Sequence, residues 1–220
     1  MQCIKDTIKN INIVIGCNIG CSYCYARMNN NRFHTIDDFN KPVFFENKLK
    51  MLDNKRHTAY LLTGQSDLSG WNEEWKDKVF SKMKENENTQ YIFLTKRPEN
   101  INLKETPDNG WFGVTVTSSK EKKRIDYLRN NIKAKHYHIT FEPMFDDVGK
   151  LDLNNISWIV IGTETGNRKG KISSKREWVF NIYNQAKEKN IPVFMKEDLL
   201  GILNEDEFVQ EFPKEFGGIK

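Results

Sequence analysis

Long hydrophobic runs are missing from this 220-residue chain. The most apolar stretches, "YLLTG", "YIFLT" and "WIVIG", fall far short of the roughly 20 residues that a membrane-spanning helix needs, so no membrane partner is expected. The opening "MQCIKDTIKN" lacks the apolar centre of a secretory signal, and a cytoplasmic location is the expectation. Cysteine is scarce as well: four residues, too few and too unevenly spread for the disulfide framework of a secreted domain. Linkers, low-complexity tracts and sequence repeats beyond a βα alternation are absent, which favours one domain. Charge is nearly balanced, 34 Lys and Arg against 30 Asp and Glu, a formal net of +4. That excess permits an anionic substrate, but it is less basic and less clustered than a nucleic-acid footprint usually is.

What is present is an alternation of short apolar runs with amphipathic stretches. "INIVIG" (11–16), "AYLLTG" (59–64), "QYIFLT" (90–95), "WFGVTVT" (111–117), "HYHITFE" (136–142), "WIVIGTE" (158–164) and "IPVFMKE" (191–197) read as buried strands. Between them, residues 44–52, 73–85, 118–130 and 176–190 carry helical spacing. Strands that are apolar throughout, separated by amphipathic helices, predict an α/β fold with a parallel sheet, closed as a full or partial barrel or lying open. In either form the loops at the C-terminal ends of the strands make up the functional face. "GCNIGC", "TGQSD", "TKRPE", "FEPM", "GTETG" and "MKED" would gather there. The tryptophans Trp71, Trp75, Trp158 and Trp178 fit core packing, and "KEKKR" (120–124) fits the solvated face of a helix.

Three of the four cysteines crowd into "GCNIGCSYCYARM" (16–28): Cys17, Cys21 and Cys24. Cys3 stands apart as an incidental thiol. A structural zinc site closes its shell with four Cys or His ligands, and His34 is the nearest histidine, so a Cys3His site is one reading. Three core cysteines beside two glycines in a polar loop would be poor packing material. An iron–sulfur cluster is the better fit, because three thiolates leave one iron open to an external ligand.

The spacing C-x3-C-x2-C, with Tyr23 directly before the last cysteine and a strand directly before the loop, resembles the radical S-adenosylmethionine (radical SAM) superfamily. Further along, "QSDL", "FLTKRPE", "WFGVTV", "FEPMF", "WIVIGTETG" and "PVFMKE" follow in the order of a phage-associated radical SAM-like family of unknown function. The likeness covers residues of about 12 to 197. It implies a partial (β/α)6-type barrel over residues 1–197, with residues 198–220 as an extension packing on the barrel or on a partner. It further implies a [4Fe–4S] cluster on Cys17, Cys21 and Cys24, S-adenosylmethionine on the open iron, and reductive cleavage to a 5′-deoxyadenosyl radical that takes hydrogen from a substrate. A one-electron reductant such as flavodoxin or ferredoxin would be needed. Some relatives are encoded beside a three-Cys-motif partner protein, so a protein partner is also implied. The substrate stays open among a small molecule, a peptide and a nucleobase, and no cysteine after Cys24 suggests a second cluster.

The resemblance also points to individual residues, each with a plainer alternative. Tyr23 would pack near adenine or simply shield the cluster. Gly64, Gln65 and Ser66 hold the place of the superfamily's glycine-rich motif that meets the SAM amino group, though Gly-Gly-Glu is absent; alternatively Ser66 or Asp67 caps the next helix. Lys96 or Arg97 would meet a carboxylate or a substrate anion, or stand solvated. Thr115 and Thr117 alternate on one strand and would reach the ribose, although Ser118 stands where relatives carry an acid. Glu142 and Glu164 end apolar strands, where a carboxylate is costly to bury alone; they are candidate acceptors for ribose or substrate, or partners for Lys96, Arg97 or Lys196. Gly162 and Gly166 would let backbone approach adenine or turn tightly, Thr163 between them is a further cofactor-binding candidate, and Lys196 is the last inward candidate, or pairs with Glu142 or Glu164. Two other classes stand beside the radical SAM reading: a non-catalytic iron–sulfur or zinc-binding regulatory module, and a nucleic-acid modification or repair enzyme comparable to spore photoproduct lyases.

Overall fold

The structure is a computed structural model that describes residues 2–54 and 58–217. A single helical turn, α1 (Ile4–Thr7), leads into β1 (Ile8–Asn10); β2 (Val14–Ile15) and β3 (Val43–Phe44) then pair antiparallel with each other. The remaining strands, β4 (Ala59–Leu61), β5 (Gln90–Thr95), β6 (Gly110–Thr115), β7 (His136–Phe141), β8 (Ile156–Ile161) and β9 (Val193–Met195), line up beside β1 in chain order, all parallel. This seven-stranded sheet curls into a half-barrel. The larger helices are α2 (Tyr25–Phe33), α3 (Glu73–Lys84), α4 (Lys123–Asn131) and α5 (Arg176–Glu188). No helix among the described residues is long and apolar enough to cross a membrane.

Each strand divides its side chains between two cores, as the two-residue period requires. On the convex side, Phe93, Phe112, Ile139 and Ile159 pack under Val79 and Phe80 of α3, Leu128 of α4 and Ile182 of α5. On the concave side, Ile8, Ile92, Trp111, Trp158 and Phe194 form a smaller core stopped by Phe212 and Phe216 from the C-terminal segment. That segment runs antiparallel along β9, with Met195 N–H donating to Val209 O and Glu211 N–H to Val193 O, both at 2.8 Å. The lower half of the concave face is therefore dry and aromatic. Its upper half, at the strands' C-terminal ends, carries Lys96, Thr115 and Lys196, two or four residues beyond apolar positions on the same face, together with Thr140 and Glu142, which follow His136 and His138.

Between these halves lies His138, 1 % exposed, with Nε2 3.0 Å from Phe93 O and Nδ1 making no hydrogen bond among the described residues. Burial holds its pKa down to about 4 despite the hydrogen bond. The unfolded chain binds a proton here near the ordinary value of 6.5 and the folded chain does not, so stability falls as pH drops through that window. From pH 7.5 to pH 4 the loss is roughly 3 kcal/mol. His138→Gln keeps an N–H for Phe93 O without a titrating group. Urea unfolding at a series of pH values is expected to show a shallower acid loss in that variant; equal slopes would contradict the assignment.

Most expected elements are present, and the exceptions have physical causes. Residues 11–16 do not form one regular strand. Ile13 and Val14 are adjacent and both fully buried in the main core, whereas Ile15 joins Ala26, Ile36 and Phe39 beneath the cysteine loop. A run that must bury side chains in two cores cannot keep a single period, so the barrel's first strand is β1, three residues earlier. Residues 46–53 form a 3₁₀ helix in place of an α-helix. Helix α2 has almost no apolar periodicity to announce it, with Asn at 29, 30 and 31; it is set instead by a Cys24 side-chain cap and by Asn30, whose amide bridges to Ile36 N and O.

Candidate functional site

The cysteine loop leaves β2 through Gly16, whose N–H donates to Gln65 O at 3.0 Å, and Cys17 N–H donates to Phe39 O at 2.6 Å. Arg27 lies over the Phe39 ring and donates to Cys17 O at 2.8 Å and Asn40 Oδ1 at 3.0 Å, closing the loop from behind. Cys17, Cys21 and Cys24 are all free thiols and all partly exposed. Burial pushes the Cys17 thiol up, and Asp67 and Cys21 add to it against the Ile19 N–H. Cys24 Sγ accepts the Arg27 N–H at 3.4 Å. Among the described residues no three His, Cys, Asp or Glu side chains gather round one point. Cys3 lies elsewhere, donating to Glu197 Oε1 at 3.0 Å.

Aromatic residues flank the thiols. Tyr23 meets Phe145 edge-on at 5.5 Å, with Lys96 Nζ 5.9 Å from its ring centre. Burial, then the neighbouring Cys21, raises its phenol pKa. Tyr25, at the start of α2, donates to Gly64 O at 2.6 Å and stands within the field of Cys24, Glu142 and Lys196. This bond ties the cysteine loop to the loop after β4. A Cβ at Gly64 would sit 2.9 Å from Asn12 Oδ1, a buried acceptor with no partner.

Carboxylates cross-brace the loops of neighbouring strands. Asp67 is 6 % exposed; its Oδ1 accepts from Ser69 N, Ser69 Oγ and Thr95 Oγ1, and its Oδ2 from Lys96 N, at 2.7 to 3.0 Å. It thus caps the turn after β4 and positions Lys96. Glu121 accepts from Thr117 N and Oγ1 at 2.7 Å and pairs with Arg124, which also donates to Thr115 O. The Thr117 hydroxyl is accordingly committed to Glu121, while Thr115 shares the concave face with Trp111. Ser66 Oγ is likewise engaged, accepting from Trp71 Nε1 at 3.0 Å. Asp146 takes Ser119 N and Oγ, joining the β6 and β7 loops. Arg97 forms no ion pair among the described residues; its N–H donates to Thr95 Oγ1.

At the far side of the mouth Lys196 pairs with Glu142 and, at 3.1 Å, with Asp198. Burial pulls the Lys196 pKa down, but the two carboxylates outweigh it and hold the ammonium more firmly than in water. Asp198 itself is raised, by burial first, and its Oδ1 accepts the Thr163 N–H at 3.1 Å. Gly162 lies beneath all three: a Cβ there would come within 3.1 to 3.2 Å of Lys196, Asp198 and Glu142. Lys196→Met would leave two carboxylates facing each other. The expected cost is about 2 to 3 kcal/mol by urea unfolding at pH 7, below that of a fully buried pair because Glu142 keeps water on one side; a loss under about 0.5 kcal/mol would show the cluster to be solvated. Glu164 takes no part in that cluster. Its side chain, 2 % exposed, is bound by Arg168 and accepts Ile172 N–H at 3.3 Å. Thr163 Oγ1 accepts from Ser174 N and Oγ at 3.0 Å.

Asp67, Asp198 and Tyr25 are the site residues that motif reading passed over. Asp67 was visible as a cap, but its second oxygen's reach to β5 depends on sheet register. Three thiols on a braced loop, beside an unpaired amide oxygen and a glycine cradle, suit a thiolate-held cluster with a polar organic ligand next to it. A cluster takes each thiolate on a different iron, so its ligands ring a space and need not meet at a point.

A family model matches residues 2–217, nearly the whole chain, under the description "Protein of unknown function (DUF5131)". No curated protein and no solved structure matches the chain.

Proposed function

The chain belongs to the DUF5131 family, and because that description assigns no chemistry, we propose a function from the chain's own residues: a radical SAM enzyme. The observation that carries the reading is the placement of three free thiols, Cys17, Cys21 and Cys24, on one braced loop at the C-terminal mouth of a parallel half-barrel. Cys17, Cys21 and Cys24 would hold a [4Fe–4S] cluster, which when loaded with SAM and one electron supplies a 5′-deoxyadenosyl radical for hydrogen abstraction. Tyr23 and Phe145 exclude water from one flank. Asn12 offers an amide oxygen, and Gly64 a carbonyl that also accepts from Tyr25, to an ammonium group, in the place where the radical SAM superfamily's acidic motif is missing. Thr115 and Thr140 present the concave face to a polar ligand, and Asp67 accepts the Lys96 backbone N–H and so places that residue at the mouth.

The Glu142–Lys196–Asp198 cluster faces Tyr25 from the opposite side, where it can orient the substrate and carry its protons. Anaerobic reconstitution with iron and sulfide tests the first step. Iron and sulfide bound in equal amounts, with a thiolate-to-iron absorption that bleaches under dithionite, is the expected result. A protein that takes up one zinc and no sulfide would favour the regulatory-module reading.

A further inference from the structure

The loop between β8 and α5, residues 162–175, carries Arg168, Lys169, Lys171 and Lys175 against one acid, Glu164. Its net of +3 equals that of residues 120–124, where Lys120, Lys122, Lys123 and Arg124 stand against Glu121. Such a loop would repel itself and splay, yet this one is braced. Glu164 Oε2 accepts from Arg168 Nη2 at 2.8 Å and from Ile172 N; Arg168 also donates to Gly170 O at 3.1 Å, and Ser174 is fastened to Thr163. The Arg168 guanidinium holds the Glu164 carboxyl below the usual range against its burial. With Arg168 neutralised inside the loop, Lys169, Lys171 and Lys175 are left exposed and without an ion pair among the described residues, Lys175 resting against Trp178.

The loop follows β8 at the same rim as the cysteine loop, where Lys96, Arg97 and Lys120 also lack carboxylate partners among the described residues. Tyr25, 51 % exposed at the start of α2, presents an aromatic face on the cysteine-loop side of that rim. Cations in a row that track a backbone, with an aromatic platform beside them, are how proteins hold single-stranded nucleic acid without reading its sequence. Lysines act here as point charges toward phosphates and set no base preference. We propose that the β8–α5 loop is the docking surface for the phosphate backbone of a single-stranded nucleic acid, which presents a base to the cysteine loop. That last clause rests on the cysteine loop being the reactive centre; the docking itself does not.

Binding is therefore tested on the full chain without cluster or SAM, by fluorescence anisotropy of fluorescein-labelled 20-nucleotide oligo(dT) and oligo(U), between 50 and 200 mM salt. The test variant is Lys169→Gln, Lys171→Gln, Lys175→Gln. Its control, Lys84→Gln, Lys133→Gln, Lys189→Gln, removes the same charge from helix-to-strand connections at the opposite end of the barrel. The expected result is a fall in affinity of roughly 10- to 100-fold for the loop variant, with a salt slope smaller by about 2, the loss of three phosphate contacts on a single strand. The control should change little, and both variants should unfold at the wild-type temperature. Equal losses in the two variants, no binding of either oligonucleotide by the wild type at 50 mM salt, or loop-dependent binding of an acidic flavodoxin in its place would each overturn the proposal. Failure here leaves SAM cleavage untouched, and failure of SAM cleavage leaves this binding measurable.

Discussion

Alanine at any one of Cys17, Cys21 or Cys24 is expected to reduce reconstituted iron and sulfide to background while the protein stays folded. The reason is that these thiols do almost nothing else. The loop is held by backbone bonds from Gly16 and Cys17, by Arg27 on Cys17 O and by the Asn30 bridge to Ile36, none of which uses a sulfur atom. Cys17 Sγ meets the Ile19 N–H, and Cys24 Sγ makes the long cap to Arg27 N–H, whose loss should cost about 0.5 kcal/mol, the low end for a helix N-cap. Cys24→Ser separates the two roles: a hydroxyl restores the cap but is a poor ligand for iron. Iron and sulfide analysis together with thermal unfolding checks this. Full retention of iron in any one single variant would show that cysteine not to be a ligand.

Asp67→Ala is expected to produce the largest loss of stability at the mouth, about 3 kcal/mol, which for a chain of this size is roughly a 6 to 12 °C drop in unfolding temperature. One buried carboxylate satisfies four donors drawn from two loops. Hydrogen bonds to a charged acceptor contribute more than neutral ones, and removing the acceptor strands the Thr95 hydroxyl and the Lys96 N–H in a buried place. Asp67→Asn keeps the shape but turns one oxygen into a donor facing donors, so it should fall between wild type and alanine. Calorimetry or urea unfolding decides it; a shift of under 2 °C for Asp67→Ala would mean that water replaces the carboxylate without loss.

The strands were legible where one chain segment serves one core. β5, with "QYIFLT", starts and stops where its composition says; α3 and α5, whose apolar stripes face the sheet, start at the expected residues and end one and two residues early. Residues 11–16 depart from the expected single strand because their side chains divide between two cores, which no periodicity encodes. α2 was not foreseen because its stability comes from a cap and a tertiary amide bridge. At the site, the sequence pointed to the cysteines, Glu142 and Lys196, since thiols at fixed spacing and charges at strand ends stand out locally. It could not reveal that Glu164 closes on Arg168 four residues ahead while Glu142 reaches across to β9, because that choice depends on the curl of the sheet. Asp198 and Tyr25 escaped for the same reason.

The central claim is most directly tested by quantifying 5′-deoxyadenosine after anaerobic reconstitution and addition of dithionite and SAM, in the wild type and in a Cys17→Ala, Cys21→Ala, Cys24→Ala variant. The account predicts 5′-deoxyadenosine from the wild type and none above background from the variant. Equal amounts from both, or none from a wild type whose iron and sulfide are fully incorporated, would contradict it.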